Sequence, residues 1–354
     1  MRIGIGMSGG VDSSVAASLL KEQGHEVFGI TMRIWSGDAG RAGKHHACYG
    51  PGEENEIIRA GEVCGAMGIP HHVYDLSEAY RKVVLGYFKR EYLEGRTPNP
   101  CVLCNERIKF GLLPALAYDN LGVEAFATGH YARMAVDAER GRITLLRARD
   151  LHKDQSYFLH RLTQKQLKRA VFPLGEYTKE DVRQIAREKR IPSWEDPESQ
   201  DFFDGDYNEL IGHDDEPGDI VDTKGTVLGK HRGIWNYTVG QRRGLGIAAA
   251  EPLYVTAIDA SRKKVIVAPK HESLISVFHA THFNWVSIDG MTKPKTVTVK
   301  TRSSHRGAQC KAEPLSSTTV RIILESPENG IAAGQSAVLY EGDMVVGGGV
   351  IEAI

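Results

Sequence analysis

Two short runs of residues in this chain have the types and spacing to do chemistry. The first is Gly6-Met7-Ser8-Gly9-Gly10-Val11-Asp12-Ser13-Ser14. Adjacent glycines let a backbone close around an anion, and a helix beginning just beyond them offers N–H groups with partial positive charge. Ser8, Ser13 and Ser14 add hydroxyl donors. Asp12 suits a Mg²⁺ ion travelling with a polyphosphate, since bare phosphate would repel it. The run lacks the Gly-x-x-x-x-Gly-Lys-Ser/Thr order, which argues against a kinase or GTPase loop. Its plain structural alternative is a glycine turn capped by serines. The second run is Cys101-Val102-Leu103-Cys104, inside GRTPNPCVLCNERIKF at 95–110. Pro98 and Pro100 hold Asn99 extended, and a helical pattern begins near Asn105. Thiols at a helix start, with Arg107 and Lys109 nearby, are expected to have lowered pKa values and to react as thiolates. A lone Cys-x-x-Cys also fits half a zinc site, part of an iron–sulfur site or a redox dithiol.

The elements around these runs are those that such chemistry needs. Strand patterns at Arg2–Met7, Glu26–Met32, His71–Asp75 and Ala125–Thr128 alternate with helical ones near Ser13–Gln23, Glu53–Met67, Leu76–Glu94 and Lys109–Leu121. That rhythm predicts a doubly wound parallel sheet with ligands at the carboxyl ends of its strands. Gly129 follows the last of these strands, and Met32 ends the second. Thr178–Arg190 reads as a helix with a capping Thr, acids early and bases late. From Gly218 onward short β-like runs are punctuated by glycine, and the stretch from about His279 predicts a small antiparallel barrel or sandwich.

The chain has 354 residues, 41% of them hydrophobic and 25% charged, with a formal net charge of −1. That balance describes an ordinary globular protein of two or three domains and no global field that drives it onto nucleic acid. A polyanionic partner would have to meet a local basic surface. No apolar run reaches membrane-spanning length, and the short N-terminal one ends in the glycine loop, so neither a membrane span nor a signal peptide is expected. Five cysteines, Cys48, Cys64, Cys101, Cys104 and Cys310, read as reduced thiols of a cytoplasmic protein. His45, His46, Cys48, Cys64, His71 and His72 fit no standard zinc spacing. Cys64 sits in a helical pattern as a core residue, and Cys310 has no evident partner.

Taken together the motifs resemble those of the tRNA-specific 2-thiouridylases over nearly the whole chain. The resemblance rests on GMSGGVDSSVAA (6–17), GRTPNPCVLCNERIKF (95–110), ATGHYAR (127–133), KDQSYFL (153–159), PLGEYTKEDVRQIA (173–186), ESQD (198–201), YTVGQRRGLGI (237–247) and GQSAVLYEGDMVVGGGVI (334–351). It implies an N-terminal α/β domain of the pyrophosphate-loop ATPase type, similar to adenine nucleotide α-hydrolases. A small mixed central domain and a C-terminal antiparallel β-barrel would follow. The expected boundaries are 1–162 (with 191–206 packing back), 163–277 as a tRNA-bracing domain, and 278–354.

The same resemblance implies ATP-dependent 2-thiolation of the wobble uridine of tRNA. The C2 oxygen is adenylated, pyrophosphate departs, and a cysteine-borne persulfide or cluster-borne sulfide replaces AMP. ATP-binding residues carried over are Gly6, Met7, Ser8, Gly9, Gly10, Val11, Asp12, Ser13, Ser14, Met32 and Gly129. Catalysis falls to Cys104, Cys101 and Asp12. Contacts to tRNA, engaged at its anticodon stem-loop, fall to Asn99, Pro100, Cys101, Lys153, Asp154, Gln155, Arg302 and Ser303. ATP and Mg²⁺ are the implied cofactors, and a persulfide or sulfide donor such as a cysteine desulfurase relay is the implied partner.

The chain departs from the family pattern in three places. ESQD is usually followed by Ile-Cys-Phe, whose cysteine carries the persulfide; here Phe203 holds that place. Cys101 stands where the family often has aspartate, and Ser303 where it commonly has tyrosine. Two repairs keep thiolation: Cys101 and Cys104 divide the roles as a dithiol, or they bind an iron–sulfur cluster with Cys48 as third ligand. The alternatives are a homologue that binds tRNA or adenylates but has lost thiolation, or another AMP-forming ligase.

Overall fold

The computed structural model describes residues 1–35, 37, 47–139, 141–191, 201–203 and 205–352. His45, His46 and most of the ESQD motif lie outside them. The chain divides into two compact units, one of 1–85, 100–209 and 343–345, the other of 86–99, 210–342 and 346–354.

The first unit is built on a parallel sheet. Strands β1 (Arg2–Gly6), β2 (Glu26–Arg33), β4 (His71–Asp75), β5 (Ala125–Ala127) and β8 (Ala170–Val171) lie in the order β4-β2-β1-β5-β8. In register, Ile5 sits between Gly29 of β2 and Ala127 of β5. The central strand has both faces covered, which is why Ile3 and Ile5 alternate only with glycine. Helix α1 (Val11–Glu22) crosses from β1 to β2, and α2 (Glu53–Ala66) from β2 toward β4. The alanines of α1, Ala16 and Ala17, share a core with Val182, Ala186 and Ile191. Val182 and Ala186 belong to the helix Lys179–Glu188, which Thr178 opens with a capping box closed by Asp181. Residues 163–190 therefore pack in the first unit, beyond the boundary at 162 that the resemblance led us to expect, because β8 completes the sheet and this helix packs on α1. A two-stranded parallel pair, β3 (Ala47–Tyr49) with β9 (Asp201–Phe203), and a hairpin of β6 (Ala132–Asp137) with β7 (Arg142–Arg147) complete the strands of this unit.

The second unit holds a four-stranded sheet and a barrel. Strands β10 (Gly218–Val221), β11 (Val227–His231), β12 (Leu253–Asp259) and β13 (Lys264–Pro269) form the sheet in the order β11-β10-β13-β12. Six strands, β14 (Ile275–Asn284), β15 (Lys295–Lys300), β16 (Ala308–Pro314), β17 (Val320–Glu328), β18 (Ser336–Glu341) and β19 (Met344–Ile351), run in the order β14-β17-β16-β15-β18-β19, and β14 pairs again with β19 to close the barrel. Alternation along β15 and β17 turns Val297, Val299, Ile322 and Leu324 inward. Cys310 is in that interior, its thiol pushed up to about 12 by burial. Among the described residues no helix is long and apolar enough to cross a membrane.

One contact in the first unit leaves no slack. A Cβ on Gly29 would lie 2.4 Å from the Cys64 sulfur, and Cys64 is fully buried with its thiol pushed up to about 11. Gly29→Ala is expected to destabilise the protein by about 1–3 kcal/mol through overpacking. Adding Cys64→Ala makes room for the new methyl and should recover most of that loss, as urea unfolding of the single and double variants will measure.

Candidate active site

At the carboxyl ends of β1, β2 and β5 lies a cavity of about 310 Å³, lined by Gly6, Met7, Ser8, Gly10, Val11, Asp12, Ser13, Met32, Thr128, Gly129, His130 and Gln155, together with Cys48, Glu56, Arg59 and Lys109. Gly9 and Ser14, also expected to hold ATP, do not line it. Gly9 has φ of +76°, and a Cβ there would stand 2.9 Å from the Glu56 carbonyl oxygen, so the turn packs directly on α2. Gly129 allows an equally close approach, its absent Cβ falling 2.9 Å from the Ser13 nitrogen.

The serine hydroxyls behave differently from expectation. Ser14 is fully buried and donates to the Gly10 carbonyl at 2.8 Å, while Ser13 donates to the same carbonyl at 3.0 Å. These hydroxyls shape the turn. An anion in the cavity would meet the first-turn N–H groups of α1, which have no carbonyl a turn earlier to accept them.

Asp12 is committed as well. Its Oδ1 accepts from the Tyr131 hydroxyl at 2.8 Å and from Lys179 Nζ at 2.7 Å, and the Lys179 side chain is only 9% exposed. Sequence reading missed Lys179. Its signal was a lysine in the first turn of a helix, where the dipole disfavours a cation unless another charge holds it there. Nearby, His130 has its pKa lowered to about 3 by burial and by Lys109, so it is neutral, hydrogen-bonded with the Thr128 hydroxyl at 2.8 Å.

The thiols correct the sequence reading most sharply. The helix begins at Pro100, and its turns run from Pro100–Cys104 through wide π-type turns at Asn105–Leu112 into Leu113–Leu121. Cys101 lies in the first turn, but Cys104 is a turn further in and buried. Burial pushes the Cys104 thiol up to about 11, although Lys109 pulls the other way and Cys48 adds to the rise. It is a thiol at rest, because the loss of hydration outweighs one nearby ammonium. Lys109 shows the reciprocal effect. Burial works against its charge, yet Cys48, Cys104 and Cys101 together carry its pKa upward. Three thiols thus act electrostatically on one ammonium, and Cys48 and Lys109 also line the cavity.

The remaining expected contacts are spread along the chain. Gln155 lines the cavity, its Oε1 accepting from the Tyr131 N–H at 2.9 Å. Asp154 accepts from the Ala148 and Ser156 N–H groups, each at 3.1 Å, and so braces its own loop. Lys153 is half-buried beside it. Asn99 is buried and ends the second unit's segment, and the chain enters the first unit at Pro100. Arg302 lines a separate groove of about 870 Å³ in the second unit with Lys270 and Arg306, and Ser303 is exposed next to it. Among the described residues no three His, Cys, Asp or Glu side chains converge as ligands of a metal ion.

A parallel sheet in the order found here, with a glycine loop feeding α1 at its carboxyl edge, defines an α/β nucleotide-binding domain. The family model "tRNA methyl transferase HUP domain" matches residues 1–203, its PRC-barrel domain 209–269, and an "aminomethyltransferase beta-barrel domain" 276–351. The chain is 47% identical to tRNA-specific 2-thiouridylase MnmA of Endomicrobium trichonymphae, over 99% of each chain. It is 44% identical to MnmA 2 of Thermoanaerobacter sp. (strain X514), over 99% of this chain and 98% of that one, and 40% identical to MnmA of Acetivibrio thermocellus, over 99% of each. The chain belongs to the MnmA tRNA-specific 2-thiouridylase family. Among solved structures, NMN synthetase of Francisella tularensis aligns over 59% of this chain and 74% of its own at a TM-score of 0.35 with 15% identity, a likeness too slight to bear on function.

Glu56 makes the cavity's acid sensitivity measurable. Burial pushes its carboxyl from an ordinary 4.5 up to about 7, more than Arg59 lowers it. A raised folded-state pKa means the folded chain binds the proton more tightly than the unfolded one. That stabilisation is complete below about pH 4.5 and is lost as pH rises through 7. Glu56→Gln is expected to remove this component, flattening stability between pH 5 and pH 8 by roughly 1–3 kcal/mol. Urea titrations of both proteins at the two pH values will check it.

Proposed function

We propose that this protein thiolates C2 of the wobble uridine of tRNA at the expense of ATP. One observation carries the reading: the glycine loop, the Lys109 ammonium and the Cys48 thiol line one cavity, and Cys104 and Cys101 act on the same ammonium. The relatives' printed names support it. The α1 N-terminus and the backbone of Gly10 to Ser13 hold the polyphosphate, and Met32 and Gly129 border the nucleoside. Mg²⁺, when bound with ATP, neutralises phosphate charge. Asp12 would be its protein ligand, through Oδ2, since Oδ1 is held by Tyr131 and Lys179.

Uridine O2 attacks the α-phosphorus, N3 gives up its proton and pyrophosphate departs. A sulfur nucleophile then adds at C2 and AMP leaves with the former O2. Cys101 and Cys104 handle that sulfur as thiols, with Lys109 stabilising the anionic sulfur that burial alone would disfavour. Asn99, Pro100 and Cys101 meet the target base. Lys153 and Gln155 contact tRNA near it, and Asp154 holds their loop. In the second unit Arg302, beside Ser303, offers charge to the phosphate backbone, with the central sheet bracing the tRNA and the barrel clamping it. The uridine must leave its stack to reach the cavity. A cytoplasmic persulfide source such as a cysteine desulfurase relay supplies the sulfur.

The test uses protein purified without oxygen, a tRNA transcript, Mg·ATP and a persulfide donor. Wild type is expected to release pyrophosphate only with tRNA and to form 2-thiouridine, read by nucleoside mass spectrometry. Cys104→Ala should keep the first activity and lose the second, and Asp12→Ala should lose both. Full thiolation by Cys104→Ala overturns the catalytic assignment, and tRNA-independent pyrophosphate release would point to another AMP-forming ligase.

A further inference from the structure

Phe203 stands where the family resemblance leads one to expect a second, sulfur-carrying cysteine. Its ring is buried against Tyr49 and Tyr207, with centroids 6.3 and 6.5 Å away, so it serves the core. Its strand, β9, pairs in parallel with β3, matching Tyr49 to Phe203 and Ala47 to Asp201. Cys48 therefore sits on the adjoining strand beside Phe202. That is one strand spacing, about 5 Å, from the segment that lost its thiol. Alternation along β3 turns Tyr49 inward and leaves Cys48 on the opposite side, where it is exposed. Of the five cysteines, Cys48 alone lines the nucleotide cavity among the described residues. Its charge is felt by Lys109 and by Cys104.

We propose that Cys48 is the persulfide carrier of this site, taking the place of the missing cysteine on the neighbouring strand, and that Cys104 resolves it. The proposal rests on the thiolation reading above and puts Cys48 in place of Cys101 as the sulfur-handling partner of Cys104. A persulfide donor transfers sulfane sulfur to Cys48, giving Cys48–S–S⁻. The terminal sulfur attacks C2 of the adenylated uridine, the C2–O bond breaks, and AMP departs with the oxygen. The Cys104 thiolate then attacks the Cys48 sulfur. The S–S bond breaks with its electron pair going to the sulfur on C2, N3 regains a proton, and 2-thiouridine is released. A Cys48–Cys104 disulfide remains, and a dithiol reductant restores it with two electrons. Exposure suits Cys48 to receive sulfur, and burial suits Cys104 to wait as a thiol.

Three measurements test this. Wild type exposed to inorganic polysulfide, with neither ATP nor tRNA, is mapped by non-reducing peptide mass spectrometry; persulfide is expected on Cys48. A single turnover of the loaded protein with tRNA and Mg·ATP, without reductant, should leave Cys48 linked to Cys104 in proportion to the 2-thiouridine made. Cys48→Ser should keep tRNA-dependent pyrophosphate release and lose 2-thiouridine. Persulfide confined to Cys101, a Cys101–Cys104 disulfide with Cys48 free, or wild-type thiolation by Cys48→Ser would each overturn the proposal. So would iron and acid-labile sulfide bound in stoichiometric amount through Cys48. Should Cys48→Ser lose pyrophosphate release as well, the two wild-type peptide maps decide. Absence of pyrophosphate release by wild type fails the thiolation reading instead, and the polysulfide map still judges Cys48.

Discussion

At Gly9 and Gly129 a single added carbon would strike backbone, 2.9 Å from the Glu56 carbonyl oxygen in one case and 2.9 Å from the Ser13 nitrogen in the other. The glycine loop thus approaches the backbone of α2 at Gly9, and the chain just after β5 approaches the start of α1 at Gly129. The residues at the start of α1 line the cavity, and their N–H groups have no carbonyl a turn earlier to accept them. Hydroxyls of Ser13 and Ser14 turn back onto Gly10 and stiffen that arrangement. An anion site made of amides is pre-organised in this way, since its donors cannot rotate away.

Around this frame two ammonium groups, Lys179 and Lys109, are withdrawn from water. Lys179 is held by Asp12, so a carboxylate that would repel phosphate already carries a cation of its own. Lys109 is acted on by thiols, with no carboxylate among the groups that raise its pKa. A carboxylate would fix one strong pair, whereas thiols leave the ammonium able to stabilise whichever sulfur becomes anionic. His130 is kept neutral by the same burial and by Lys109. Removing one partner from such a set leaves a charge with neither water nor counterion, which makes the group cooperative.

The second unit follows a simpler rule. Its strands alternate inward and outward, and β14 pairing with both β17 and β19 closes the barrel and removes its free edges. Basic residues Lys270, Arg302 and Arg306 gather in one groove there, although the whole chain is close to neutral. A local cluster of this kind can attract a polyanion where net charge does not.

Much of this was legible in the residues themselves. Alternating strand and helix patterns, with glycines directly after the first strand, determined a parallel sheet carrying a phosphate loop, because periodicity and glycine act locally. Thr178 announced its helix for the same reason, and Cys64 its place in the core. What only the tertiary structure decided depends on distance across the chain. Cys104 looked activated by Arg107 and Lys109, but its burial, set by packing far along the sequence, pushes its pKa the other way. Lys179 meets Asp12 across 167 positions. Cys48 lies beside the strand that carries Phe203 only because β3 pairs with β9. Spacing along a chain reports which elements form; desolvation and strand pairing, which set charge and neighbourhood, exist only after the chain has folded.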